Sequence, residues 1–234
     1  MPKCQNCGNL MVRADMYDPE GVVPLTIVTI EEKPWACISS VCKDSSQNQP
    51  ERRSVMLKIF IEDGFPFEKE PVWLDDKSYS DAISSLVFVC TDTVVICEGK
   101  IFLAKRRNEP MADWWVIGGR MKFGEMPDAS ATRCFKRETK LAIPPHRFEQ
   151  FGIYMVFWKT RAQEPRNAGT HSLNILFALE LTEEELKSIC LDEKEYTKET
   201  LLLYPNQLNK LIKEEKIHRY FGAVLTDLIN QNII

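Results

Sequence analysis

The chain has 234 residues, 44% hydrophobic and 27% charged, with a formal net charge of -4. That balance describes a globular protein able to bury one ordinary core plus a smaller unit. It argues against a general nucleic-acid binder, though not against a local basic cleft. No run approaches 18 apolar residues and MPKCQNCGNL lacks the pattern of an export signal, so no membrane partner and a cytoplasmic location are expected.

Residues 1–80 are expected to form a small, mostly β module. LTIVTI (25–30) has strand composition, and SVMLKIFIED (54–63) places Val55, Leu57, Ile59 and Ile61 on one face at a period of two. KDSSQNQPERR between them is a polar loop, while DGFPFEKEP and DDKSYSD are turn-rich and predict a linker. Eight cysteines occur, four of them near the start. Cys4 and Cys7 have the two-residue spacing of a thiolate knuckle. Cys37 and Cys42 can complete a tetrahedral structural zinc site, the alternative being redox or unrelated thiols. Cys90, Cys97, Cys134 and Cys190 are scattered and are expected to be reduced and packed.

From Ser84 the texture changes. SSLVFVCTDTVVICEGKIFLAKR predicts two or three strands with a tight turn at Glu98-Gly99, and DWWVI predicts another. Pro127–Thr139 predicts a helix with Asp128 able to cap its start, and Pro144-Pro145 forbids extension much beyond Ile143. FEQFGIYMVFWK and HSLNILFALEL predict two strands around the loop TRAQEPRNAGT. TEEELKSIC and the long stretch from Tyr204 to Gln231 predict two helical segments. Strands interrupted by one central helix and closed by another give a layered α/β fold over 81–234.

The chemistry concentrates between Trp114 and Leu141. Gly118 and Gly119 let backbone approach a ligand, Glu125 precedes the helix, and Glu138 stands near its end. Cys134 and Glu138 share a helix face with Arg137 alongside. A hard cation takes few protein oxygens beside substrate phosphates, so Glu138, a glycine carbonyl and one further side chain suffice. Arg137 would add a fixed positive charge beside a diphosphate. Of Trp114 and Trp115, one is expected to pack and the other to touch a base or sugar. Cys134 has no histidine near it in sequence to make it a nucleophile.

Gly119, five residues, Glu125, seven residues, Arg133, with Glu138 at the last glutamate, resembles the box of the Nudix hydrolases. Cys134 and Arg137 replace glutamates of that box, Lys140 replaces its glycine, and Ile117 replaces a frequent proline. AKRRNEPMADWWVIGGRMKFGE is similar to the GDP-mannose mannosyl hydrolase branch, which dispenses with the same two glutamates. The resemblance covers roughly Ser84 to Leu208 and implies an α/β/α sandwich around a mixed sheet.

It further implies Mg²⁺, or Mn²⁺, held by the Gly118 carbonyl, Glu138 and a residue of LDEKEY (191–196). In that loop Lys194 and Glu195 stand where the branch has a glutamine and a catalytic histidine. A lysine ammonium cannot ligate the ion, so Glu193 or Glu195 is the implied third ligand, with Glu195 the implied general base. Arg106 and Arg120 match arginines that contact the diphosphate or support its departure, Glu125 matches the glutamate that braces the loop or assists the metal, and His171 matches a histidine and is a candidate substrate contact, a structural role being the alternative. The implied reaction is hydrolysis of a nucleoside diphosphate linked to another moiety such as a sugar, with water attacking either phosphorus or the sugar carbon. Two alternatives remain: a nucleotide-binding module without turnover, and a zinc-clipped adaptor. Pairing of two copies is a further expectation.

Overall fold

The structure, a computed structural model, describes residues 59–234 in full, together with the backbone of three earlier strands. The chain divides into two compact units, Met1–Arg53 and Ser54–Ile234, a division that falls earlier than residue 80. In the first unit β1 (Met11–Arg13), β2 (Thr26–Ile30) and β3 (Lys33–Cys37) form an antiparallel sheet in the order β1-β3-β2. Cys4, Cys7 and Cys42 lie outside the described residues. The Cys37 backbone pairs with Met11 on one side and Thr26 on the other.

Two expectations at the start of the second unit are corrected. Residues 54–58 lie outside the described part, but the rest of the strand expected over 54–63 does not form. Ile59, Phe60 and Ile61 are exposed and unpaired, because an apolar alternation needs a neighbouring strand to become a sheet. DDKSYSD, expected as linker, begins helix α1 (Asp76–Ser85), with Asp75 accepting from the N–H groups of Lys77 and Ser78 at 3.0 Å each. Aspartate and serine serve turns and helix caps alike, which is why composition misread this segment. The stretch before α1 lies against the second unit's own surface: Phe65 stacks on Phe123 at 5.4 Å.

The main sheet contains β4 (Phe88–Cys97), β5 (Lys100–Arg106), β6 (Trp114–Trp115), β7 (Ile117–Arg120), β8 (Glu149–Trp158), β9 (Thr170–Glu180) and β10 (Tyr196–Leu203). Its spine runs β10-β5-β4-β9-β8, with β4 and β9 parallel and the other pairs antiparallel, so the sheet is mixed as expected. β4 and β5 are joined by a two-residue hairpin in which Glu98 (φ 50°) and Gly99 (φ 68°) are both left-handed. Beyond that hairpin the two strands part. The gap holds Trp114–Arg120, with β6 on β5 and β7 on β4.

Helix α2 (Pro127–Thr139) has the expected bounds, but its N-cap is Met126 without a side-chain bond, and Asp128 bonds only to the N–H of Ala129. It ends where Lys140 turns left-handed (φ 61°), before the prolines act. The segment from Tyr204 splits into α4 (Pro205–Lys213) and α5 (Tyr220–Asn230), broken by left-handed Glu215. α3 (Glu183–Lys187) is a short helix with a Thr182/Glu185 capping box. Strand β10 was not expected. Phe135 and Ala131 of α2 pack on one face of the sheet, while Leu208 of α4 and Phe221, Val224 and Leu228 of α5 pack on the other. Burying both faces in this way holds the layers together.

The hairpin offers a local test. Asparagine adopts the left-handed conformation more readily than glutamate, and the exposed Glu98–Lys100 ion pair at 3.3 Å contributes little. Glu98→Asn is expected to raise the urea midpoint by an amount equivalent to about 0.5–1 kcal/mol.

Candidate functional site

The buried stripe of α2 runs Pro127, Ser130, Ala131, Cys134, Phe135, Glu138 and Thr139. Glu138 therefore carries its carboxylate inward, at 3% exposure. One oxygen accepts from the Gly118 N–H at 3.3 Å and from the Tyr196 hydroxyl, and the other accepts from Arg137. Burial pushes the Glu138 acid up in pKa, against the opposing pull of Tyr196 and Arg137.

The glycine pair allows this approach. The ladder bond from Met121 N–H to the Val89 carbonyl, and the Asp92–Gly118 register, turn both polar groups of Gly118 away from β4. Its carbonyl thus lies on the same edge as the N–H that meets Glu138. A Cβ at Gly118 would collide with the Thr91 carbonyl and the Asp92 carboxylate and lie 2.9 Å from Asp92 Cα. One at Gly119 would lie 3.0 Å from Cys134 Sγ and 2.9 Å from the tip of Arg137.

Two central residues went unread in the sequence. Asp92 sits on the other side of Gly118, 4% exposed, and accepts from Asn174 at 2.6 Å. Burial pushes its pKa up to about 6, against the Asn174 bond and the charge of Arg106. Its signal was legible, since it is the lone acid on the inward face of the alternating run CTDTVVIC. Tyr196 carried no such signal. It reaches Glu138 because the loop before it docks on the end of α2: Cys190 N–H bonds to the Thr139 carbonyl and Asp192 N–H to the Glu138 carbonyl, both at 2.8 Å.

Glu125 accepts from Arg133 at 2.8 Å and from the Lys122 N–H at 3.0 Å. Burial raises its pKa, but these donors outweigh it and the net shift is downward. Arg133 also bonds to the Arg120 carbonyl at 2.9 Å, so the pair ties the turn to α2. Arg106 is mostly buried, 3.8 Å from Glu195, and its charge acts on both Glu138 and Asp92. Glu195 also accepts from Asn108 at 3.2 Å.

Other expected residues stand elsewhere. The Arg120 guanidinium packs against the rings of both Tyr79 and Phe88, at 4.8 and 4.9 Å, and burial lowers its pKa. Glu193 is exposed, 4.0 Å from Lys198. Trp114 is half-buried with Lys105 5.5 Å above its ring, whereas Trp115 is buried. His171 stacks on Phe157 at 4.1 Å. It lies five residues along β9 from Leu176, the partner of Asp92, or about 16 Å away along the strand. Among the described residues no three His, Cys, Asp or Glu side chains gather as a metal cluster. Among those residues, too, no helix is long and apolar enough to cross a membrane.

No family model matches the chain. Among solved structures it is similar to a MutT Nudix hydrolase from Burkholderia pseudomallei, at 15% identity and TM-score 0.43, over 53% of this chain and 87% of that one. It is similar to the MutT protein of Methanosarcina mazei Go1 at 15% and 0.48, over 62% and 95%. An Ap4A hydrolase binary complex from C. elegans matches at 15% and 0.42, over 61% and 95%.

Gly118→Ala forces backbone apart, whereas Gly119→Ala meets side-chain ends, one of them flexible. The first is expected to cost more than about 3 kcal/mol of unfolding free energy and the second about 1, measured by urea titration. A second expectation concerns pH. Because folding raises the Asp92 pKa from 3.8 to about 6, the folded state holds the proton more tightly. Stability from this group is present below about pH 4 and is lost as pH rises through 6. Asp92→Asn removes that dependence, so the variant should gain on the parent by up to roughly 3 kcal/mol between pH 4 and 7.5.

Proposed function

We propose that this chain is a Nudix-type hydrolase that cleaves a nucleoside diphosphate linked to another moiety. The observation that carries the reading is the Glu138 carboxylate, brought to the polar edge of Gly118. Arg106 and Arg137 stand beside it as cations for a diphosphate. A sugar as the attached moiety is the finer proposal, and it rests on the resemblance across residues 104–125.

Mg²⁺ or Mn²⁺ fits two hard oxygens here, the Glu138 carboxylate and the Gly118 carbonyl, with water and phosphate oxygens left to complete its shell. Glu193 is turned to solvent and Glu195 is engaged by Arg106 and Asn108, so neither adds a third oxygen in this arrangement. When bound, the ion supplies positive charge to the diphosphate. Arg137 is half-exposed and can leave Glu138 for a phosphate, while buried Tyr196 keeps hold of the second carboxylate oxygen. Glu195 at the mouth is the base proposed to take a proton from water. Glu125 acts through Arg133, holding the glycine turn against α2.

A second reading has its own support. Arg137 and Tyr196 engage both oxygens of Glu138, which describes a nucleotide-binding module that does not turn over. Incubation with nucleotide sugars, ADP-ribose and dinucleoside polyphosphates plus Mg²⁺, with products resolved by chromatography, separates the two. Turnover that falls at least about 100-fold in Glu138→Gln supports the hydrolase. Nucleoside diphosphate plus free sugar would mean attack on carbon, and nucleoside monophosphate plus sugar phosphate attack on phosphorus. Binding without turnover across the panel would leave the module.

A further inference from the structure

We propose that the ring of Tyr220, stacked on Trp115, occupies a slot that receives the base of a nucleotide, and that the base displaces it. The kind of ligand rests on the hydrolase reading; the existence of the slot does not.

Trp115 is 3% exposed and surrounded by rings. Trp158, Phe221 and His218 meet it edge-on, at 5.2, 5.1 and 6.1 Å with interplanar angles of 71°, 67° and 66°. Tyr220 alone among these lies nearly flat on it, at 4.7 Å and 30°. A flat ring laid on an indole is how an aromatic base is held.

The tip of Tyr220 is the unusual part. Its hydroxyl is buried without a hydrogen-bond partner among the described residues, and buried phenols ordinarily have one. Yet the surroundings are polar. Asp92 lies within electrostatic reach of that tip. Behind Asp92 a bonded chain runs through Asn174 at 2.6 Å, Ser172 at 2.6 Å and the Trp158 N–H at 3.1 Å. The Tyr220 hydroxyl takes no part in this wall, and Asp92, which already accepts from Asn174 and the Trp115 side chain, has carboxylate lone pairs left over. The edge of a base, with several donors and acceptors, can address it, its N–H groups donating to the Asp92 carboxylate.

Topology puts the slot where a nucleotide needs it. Asp92 pairs with Gly118, whose N–H meets Glu138. A base against Trp115 and Asp92 would lie on the sheet face opposite α2, and its phosphates would have to reach Gly118 and Arg106 through the gap between β4 and β5. Tyr220 is also well placed to move. It is the first residue of α5, its N–H is held by a single side-chain bond to His218 Nδ1 at 3.2 Å, and left-handed Glu215 precedes it. Phe221, Val224, Leu225 and Leu228 keep the rest of α5 in the core while the first turn opens.

The test is direct binding of adenosine and guanosine monophosphates to the full chain by calorimetry, with ribose 5-phosphate as the base-free control. Tyr220→Ala should bind at least one nucleotide about tenfold or more tightly than the parent, with ribose 5-phosphate unchanged and Tyr220→Phe like the parent. Equal affinity in a folded Tyr220→Ala would overturn the slot. So would an equal gain for ribose 5-phosphate, or no nucleotide binding by any variant. If Tyr220→Ala does not fold, hydrogen exchange on the parent decides. Saturating nucleotide should speed exchange at the first-turn amides of α5, and slower exchange there refutes displacement. None of these readouts needs turnover. Slot binding without hydrolysis sinks the hydrolase reading alone, and hydrolysis with unchanged Tyr220→Ala affinity sinks the slot alone.

Discussion

The second unit is organised around one costly placement, a carboxylate on the buried stripe of an amphipathic helix. An isolated buried charge is expensive enough that a protein must neutralise it or surround it with donors. Glu138 is surrounded, and its three donors come from three places: backbone of β7, the phenol at the start of β10, and its own neighbour on α2. Each donor demands something of the chain that carries it. β7 must be glycine where it meets the carboxylate, the loop before β10 must dock on the end of α2, and the helix must carry a cation one position before the acid.

The parting of β4 and β5 makes those demands compatible. A continuous hairpin would cover the inner edge of β4 with β5 and leave no backbone N–H free for a side chain. By admitting Trp114–Arg120, the sheet exposes one edge of β7 inside the fold. The same wedge fixes what lies on the opposite face, because Asp92 and Trp115 flank the glycine there. Of the two buried acids on either side of Gly118, Glu138 raises the protonation preference of Asp92, and Arg106 at the end of β5 moderates both. The Glu125–Arg133 pair then keeps the turn from pulling away from α2.

Much of this was legible in residue order, and the misses share a cause. The hairpin at Glu98-Gly99, α2, and strands β4, β5, β6, β8 and β9 announce themselves by alternation, helical spacing and turn residues, all local properties, whereas glycine-rich β7 does not. Gly118 and Glu138 are neighbours, the Gly118 N–H meeting the carboxylate at 3.3 Å. Asp75–Asp81 failed because cap and turn chemistry use the same residues. β10 failed because YTKETLLL is half polar and becomes a strand only when β5 offers an edge, with a register shift between Tyr196 and Thr200. The role of Tyr196 depends on where a loop docks across fifty-eight residues of separation, which no local pattern encodes. Lys140 shows the opposite case. It occupies a left-handed position that favours glycine, and it is held there by bonds of its Nζ to the Arg137 carbonyl at 2.7 Å and to Asp192 at 3.3 Å.

Cys134 and Arg137, not further carboxylates, stand beside Glu138 on this part of α2, and that sets the electrostatics of the site. Several carboxylates on one helix face repel one another and require cations to be stable together. With one acid left, a single guanidinium suffices, and Arg137 supplies it from the same helix. Its exposure sets how the site responds to an anion. A half-exposed arginine gives up an ion pair at little desolvation cost, since water or a phosphate oxygen can take the place of the carboxylate. Tyr196, buried behind it, has no such exchange open to it. The acid thus has two fixed donors, the Gly118 N–H and Tyr196, and one exchangeable donor, and an anion such as the diphosphate of the proposed substrate would compete for the exchangeable one alone. Drawing Arg137 away would leave Glu138 under-neutralised with phosphate charge beside it, a condition that taking up either a proton or a cation would meet.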